Sequence, residues 1–170
     1  MRGYLTSVPD GDAGTYQTVQ WMRAIVHRNA VDPVVRQTTA AAVRGVPFDR
    51  GNIHAELIRQ WIEARTYFLA DPTYAEALHA PEWQIRQILT RGVIGVDCDD
   101  IAMLAAAMGL AIGLQARFVI VGFTSPKAPF RHIWTELAAV RSPRWVVIDP
   151  TRPMQGLESL SVSRRLVVEV

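Results

Sequence analysis

The sequence predicts an α+β fold, and three observations carry that expectation. Residues 15–69 repeat their apolar side chains at helical spacing. Residues 98–113 are apolar on nearly every side, the mark of a buried helix. From Gln115 onward the period shifts to that of strands. Helices first and strands last suggest helices packed on one face of a mostly antiparallel sheet. With 170 residues, 49% hydrophobic and 20% charged, the chain suits one domain with a sizeable core. Within residues 1–170 we read an extended lead-in over 1–14, a mainly helical part over 15–95 and a core over 96–170.

The elements follow in order. Pro9, Gly11 and Gly14 keep the lead-in out of regular structure. Thr15 is placed to cap a first helix to about Asn29, with Val19, Met22, Ile25 and Val26 inward. Asp32-Pro33 reads as an N-cap with Pro at the first helical position, opening a second helix to about Val43. A third is expected from Asn52 to Leu69, burying Ile53, Leu57, Trp61 and Phe68, until Asp71-Pro72 breaks it. Pro81 to Leu89 holds a short helix. Asp97 caps the apolar helix, which ends at Gly109 or Gly113. Strands are expected over 115–122, 131–141, 144–149 and 165–170, with a loop from Thr124 to Pro129 and a turn at Ser142-Pro143.

Composition excludes several classes. Eighteen Lys and Arg against sixteen Asp and Glu leave a net charge of +2, too small to argue for a nucleic acid or a membrane surface. Lys127 is the only lysine, which we attribute to coding bias. Cys98 is the only cysteine, so an internal disulfide and a multi-cysteine metal site are excluded. The histidines show no paired ligand spacing, and no glycine-rich phosphate loop occurs, so no metal and no cofactor is expected. Residues 1–5 contain no signal-peptide core, and Ile101–Leu114 is too short to span a bilayer of about 20 residues. These readings point to the cytoplasm.

The chemistry centres on Cys98 in Gly95-Val96-Asp97-Cys98-Asp99-Asp100. A lone cysteine is most often inert packing. Behind an Asp97 cap, however, it falls in the first turn of a helix, where the dipole and free N–H groups favour a thiolate and can bind an oxyanion. Asp97, Asp99 and Asp100 oppose that ionisation. His132 follows 34 residues later, at the start of a strand whose alternation puts His132, Trp134 and Glu136 on one face. Asp149 ends the next strand, 17 residues on, and a hairpin around residues 141–144 would bring it back to His132 to hold the imidazole Nδ1–H. Each residue alone also fits a structural role. His27, His54 and His79 read as surface residues.

Together these segments resemble the transglutaminase-like superfamily. The likeness is strongest from Gly95 to Thr151: the Asp-Cys-Asp-Asp opening of a buried helix, His132-x-Trp134-x-Glu136 on a strand, and Trp145-x-x-x-Asp149-Pro150-Thr151. Val96 stands where that family usually has Gly. The N-terminal helices resemble those of small stand-alone members in bacterial and phage genomes. The resemblance implies a papain-like core, with Cys98 as nucleophile, His132 as general base and then acid, and Asp149 as the orienting carboxylate. It implies the Cys98 N–H as one oxyanion donor and a second donor upstream. Gln84 and Trp83 are the candidates, and both are equally able to pack. Trp134 either walls the thiol or fills the core. The loop before His132 is expected to border the site.

Two functions follow. One is a thiol enzyme that attacks peptide or glutamine amides and passes the acyl group to water or an amine. The other keeps the fold as a structural or assembly component of a phage particle, with virion partners and a virion location. Arylamine acetyltransferases fit less well, because Arg91-Gly92 lies too far from Cys98 to form their Arg-Gly-Gly-x-Cys run. Cell-wall peptidases of related fold also rank lower.

Overall fold

The computed structural model describes residues 3–5, 11–47, 50–70, 77–154 and 159–170. Its elements run β1 (Gly3–Leu5), α1 (Asp12–Ala30), α2 (Pro33–Ala42), α3 (Gly51–Glu63), β2 (Thr66–Phe68), β3 (Ala77–His79), α4 (Pro81–Arg91) and β4 (Ile94–Val96). Then come α5 (Cys98–Ala111), β5 (Gln115–Phe123), β6 (His132–Ala138), β7 (Val146–Ile148), α6 (Thr151–Met154) and β8 (Val162–Glu169). The order is that of an α+β fold. The main sheet has four antiparallel strands in the order β7-β6-β5-β8. Two small sheets pair β1 with β3 antiparallel and β2 with β4 in parallel.

The centre of the core is α5. Residues Asp99 to Gly109 are all buried, so this helix has no solvent face. Met103, Leu104 and Met108 are fully enclosed, and each such side chain contributes about 1.5–3 kcal/mol of burial. The odd-numbered face of β6 packs on it. Ile133 and Leu137 join the core cluster, and the Thr135 hydroxyl donates to the Ala102 carbonyl at 2.6 Å. Gly109 permits this close approach, since a Cβ there would overlap the Leu137 side chain. On the opposite face of β5 and β6, Val119, Val121, Phe123 and Trp134 form a separate buried cluster.

Several expectations are corrected by non-local packing. The first helix starts at Asp12 rather than Thr15. Gly11 takes φ 70° at its N-cap, and the Thr15 amide donates to the Gly11 carbonyl at 3.2 Å. The expected lead-in therefore ends before α1, and part of it, β1, pairs with β3; its remaining residues, 1–2 and 6–10, lie outside the described residues. The third helix stops at Glu63, because Thr66–Phe68 leave it to pair with β4. Its fully buried ridge is Ala55, Ile58 and Ile62; Leu57 and Trp61 pack partly buried against the core as expected, while Ile53 is 46% exposed. His54, read as a surface residue, is buried, with Nε2 3.2 Å from the Val46 carbonyl.

Candidate active site

Asp97 caps α5 as the sequence suggested, its Oδ1 accepting from the Asp100 amide at 3.3 Å. Cys98 is thereby the first residue of the helix, partly buried at the wall of a cavity of about 460 Å³. His132 and Ile133 line the same cavity. His132 is almost fully buried, and its Nε2 lies 2.8 Å from Asp149 Oδ1. Thr151 adds a longer hydrogen bond to that oxygen, 3.4 Å from its hydroxyl. The hairpin register explains the pairing. Thr135 sits opposite Ile148, which places Asp149 across from Trp134, two residues from His132.

One atom of this arrangement differs from the expectation. Asp149 meets Nε2, not Nδ1. The Nδ1 atom is buried without a hydrogen-bond partner. Sequence spacing gives the distance between residues but not the rotation of the ring.

The surroundings of Cys98 favour the protonated thiol. Burial pushes Cys98 up to about 12, and the Asp97 carboxylate pushes in the same direction. Hydrogen bonds from the Ile133 and Cys98 backbones pull the other way without prevailing. Desolvation and acidic neighbours thus outweigh these two hydrogen bonds. Burial likewise holds Asp99 well above the usual carboxylate range, with a hydrogen bond to Asp97 adding to it. Asp97, Asp99 and Asp100 bring one oxygen each within 4.8 Å of one another, a group of hard oxygen donors that histidine spacing does not reveal.

The remaining candidates occupy other places. Gln84 is fully buried, and its amide nitrogen donates to the carbonyls of His79 at 2.9 Å and Asp100 at 3.0 Å. Trp83 stacks on His79, ring centres 4.7 Å apart. Neither residue lines the cavity. Trp134 lies 5.9 Å from the His132 ring and is buried in the far-face cluster, its indole N–H donating to Glu136 at 3.3 Å. The loop contributes Phe130 and Arg131, just beyond the Thr124–Pro129 span expected to border the site. No local sequence signal marks α1 as the other wall, which it forms through Thr15, Thr18, Val19 and Met22. Its apolar stripe identified Val19 and Met22 as core, but a helix 80 residues upstream carries no local mark of facing Cys98.

The comparisons bear on this geometry. Residues 37–150 match the model of the transglutaminase-like superfamily, two thirds of the chain and the whole Cys98–Asp149 segment. The chain belongs to the transglutaminase-like superfamily. No curated protein matches it in sequence. Among solved structures it is similar to a candidate cysteine protease from Cytophaga hutchinsonii, with TM-score 0.50 and 16% identity over 80% of this chain and 47% of that one. It is also similar to the periplasmic domain of TgpA from Pseudomonas aeruginosa, with TM-score 0.49 and 18% identity over 82% and 53%. LapG of Legionella pneumophila follows, with TM-score 0.46 and 12% identity over 85% and 83%. The chain spans about half the length of the first two. At these identities the likeness concerns the fold, which is the papain-like transglutaminase fold. Among the described residues no helix is long and apolar enough to cross a membrane.

Proposed function

We propose that this chain is a thiol acyl-transfer enzyme acting on peptide or glutamine amides, with Cys98, His132 and Asp149 as its triad. The observation that carries the proposal is the state of His132. One ring nitrogen is held by Asp149 at 2.8 Å, and the other is buried and unpartnered, on a residue that shares its cavity with Cys98. Such a ring is an acceptor waiting for a proton.

Because burial favours the protonated thiol, the nucleophile forms during attack rather than before it in this scheme. As Cys98 Sγ bonds to the amide carbon, its proton passes to His132 Nδ1. The C–N bond then breaks, and the same proton leaves with the amine. A thioester remains on Cys98, and water or an amine releases the acyl group. Asp149 keeps Nε2–H oriented and stabilises the imidazolium between the two half-reactions. The Cys98 N–H, at the first turn of α5, is the oxyanion donor of this scheme. The substrate is a protein or peptide. No step calls for a cofactor, and no nucleic acid or membrane enters the reading.

The test is intact-mass spectrometry with glutamine-containing peptides and peptide esters as acyl donors. The expected result is an acyl adduct on Cys98 that is absent from Cys98→Ala, with turnover rising on addition of a primary amine if transamidation prevails. Absence of both adduct and Cys98-dependent release would leave the assembly component, in a phage particle, as the function of the fold.

A further inference from the structure

The cavity beside Cys98 has two walls that come from distant parts of the chain. One is the first turns of α1, through Gly11, Thr15 and Thr18. The other is Phe130 and Arg131, just before β6. One side chain joins them. Arg164 of β8 forms a forked pair with Asp12 at the start of α1: Nη1 donates to Oδ1 at 2.9 Å and Nη2 to Oδ2 at 2.6 Å. Nη1 also donates to the Ala128 carbonyl at 3.1 Å. The guanidinium carbon sits 4.0 Å from the centre of the Phe130 ring. A two-pronged carboxylate contact combined with stacking on an aromatic face is something a guanidinium does and an ammonium does not.

The inner side of the same loop is fixed independently of Arg164. The Arg131 amide donates to the Val121 carbonyl at 2.8 Å. A Cβ on Gly122 would lie 2.8 Å from the Pro129 carbonyl oxygen, so the loop rests directly on β5. The backbone thus holds the base of this wall, while Arg164 holds Phe130 and sets its distance from α1.

We propose that Arg164 is a positioning residue for the acyl donor, fixing through Asp12, Ala128 and Phe130 the separation of the two walls beside Cys98. The meaning of this inference rests on the acyl-transfer reading above; its measurement does not. Asp12 and Arg164 are both partly exposed, and an ion pair of that kind adds little to stability. The effect belongs to recognition rather than to folding.

Alkylation of Cys98 reads the walls without requiring turnover. Rates are measured with iodoacetamide, which is small, and with a peptidyl chloromethyl ketone, which fills the donor subsite. In Arg164→Ala the ketone rate is expected to fall about tenfold while the iodoacetamide rate stays, because a wall displaced by about an ångström misplaces the bound group. Arg164→Lys keeps the charge but neither the fork nor the stack, and it is expected to restore less than half of the loss. Asp12→Asn leaves Arg164 on Phe130 and is expected to lose less than Arg164→Ala. Amide exchange at Ala128 and Phe130 should quicken in Arg164→Ala, with Arg131 and α5 unchanged. An unchanged ratio, a faster ketone reaction or full rescue by lysine would overturn the inference. If Arg164→Ala does not fold, the lysine and Asp12→Asn variants decide it by the same ratio. A ratio that shifts in a protein forming no acyl-enzyme would sink the acyl-transfer reading and spare the wall. A constant ratio in an enzyme that does form one would do the reverse.

Discussion

Among the described residues two histidine–carboxylate pairs stand out, and they differ in almost everything except chemistry. In one, His132 Nε2 meets Asp149 Oδ1 at 2.8 Å. In the other, His79 Nδ1 meets Asp100 Oδ2 at 2.6 Å. The second pair is nearer to Cys98 in sequence, since Asp100 lies in the same helical turn. Yet the backbone of His79 also donates to Asp100, at 2.7 Å, Gln84 clamps the carbonyls of both residues, and Trp83 covers the ring. That pair fastens β3 to α5. The first pair leaves one buried nitrogen unpartnered on a residue that lines a cavity with a thiol. A dyad becomes a candidate for chemistry through the bond it leaves unmade, not through the bond it makes.

The sharpest way to break this comparison is to remove each imidazole in turn. His132→Ala should lower acyl-enzyme formation on Cys98 by about 10⁶-fold, the scale seen when a triad loses its base. His79→Ala should lower stability instead, with rates changed less than tenfold. Stopped-flow release of a chromogenic acyl donor measures both. Equal losses in the two variants would end the distinction drawn here.

The carboxylates sharpen it further. Asp149→Asn removes the charge that orients Nε2–H, and a fall of roughly 10²–10⁴-fold in kcat is expected with little change in thermal midpoint. Asp100→Asn should show the opposite pattern, since its carboxylate lies outside the cavity lining. A kcat that survives Asp149→Asn would remove Asp149 from the triad.

The pH dependence of stability reads the acidic turn directly. Burial holds Asp99 well above the carboxylate range and raises Asp100 to about 7, the hydrogen bond from His79 opposing the latter. Below the ordinary value of 3.8, folded and unfolded states both carry these protons. As pH rises past 3.8 the unfolded chain releases them while the folded chain keeps them, so stability falls and goes on falling to about pH 7. His79 faces Asp100, its Nδ1 2.6 Å from Oδ2. Asp12 and Glu56, both lowered by arginine partners, act below that window. The urea midpoint should therefore drop between pH 4.5 and 7.5 by an amount worth on the order of a few kcal/mol, and Asp99→Asn should flatten the slope. A midpoint that rises over this range would show the acidic turn to be ionised in the fold.

How much of this was legible follows from how local each signal is. The Asp97 cap, the all-round apolar α5 and the Cys98–His132–Asp149 order are each written within a few residues, and the cap and helix occur where the sequence put them. The end of α3 is not, because Thr66–Phe68 become a strand only through β4, some thirty residues away. The facing wall from α1 and the Arg164 fork to Asp12 depend on packing between the ends of the chain. Gln84 and Trp83 illustrate the limit. Their side chains offer donors upstream of a catalytic helix, and nothing in one sequence separates a donor aimed at a substrate from one aimed at a carbonyl.

The smallest effect settles that last pair. Both amide protons of Gln84 are engaged, so Gln84→Leu strands the His79 and Asp100 carbonyls and should cost about 1–3 kcal/mol, read from the urea midpoint. Trp83→Leu loses one stacked contact with His79 and should cost only about 0.5–1.5 kcal/mol. In neither variant should the rate of acylation at saturating donor change. An oxyanion donor behaves differently: its removal costs about 10²–10³-fold in kcat and little in stability. A kcat loss of that size in Trp83→Leu, with the fold intact, would mean that the indole turns toward the cavity when substrate is bound. It would move Trp83 from the pair that fastens α5 to the pair that acts beside Cys98.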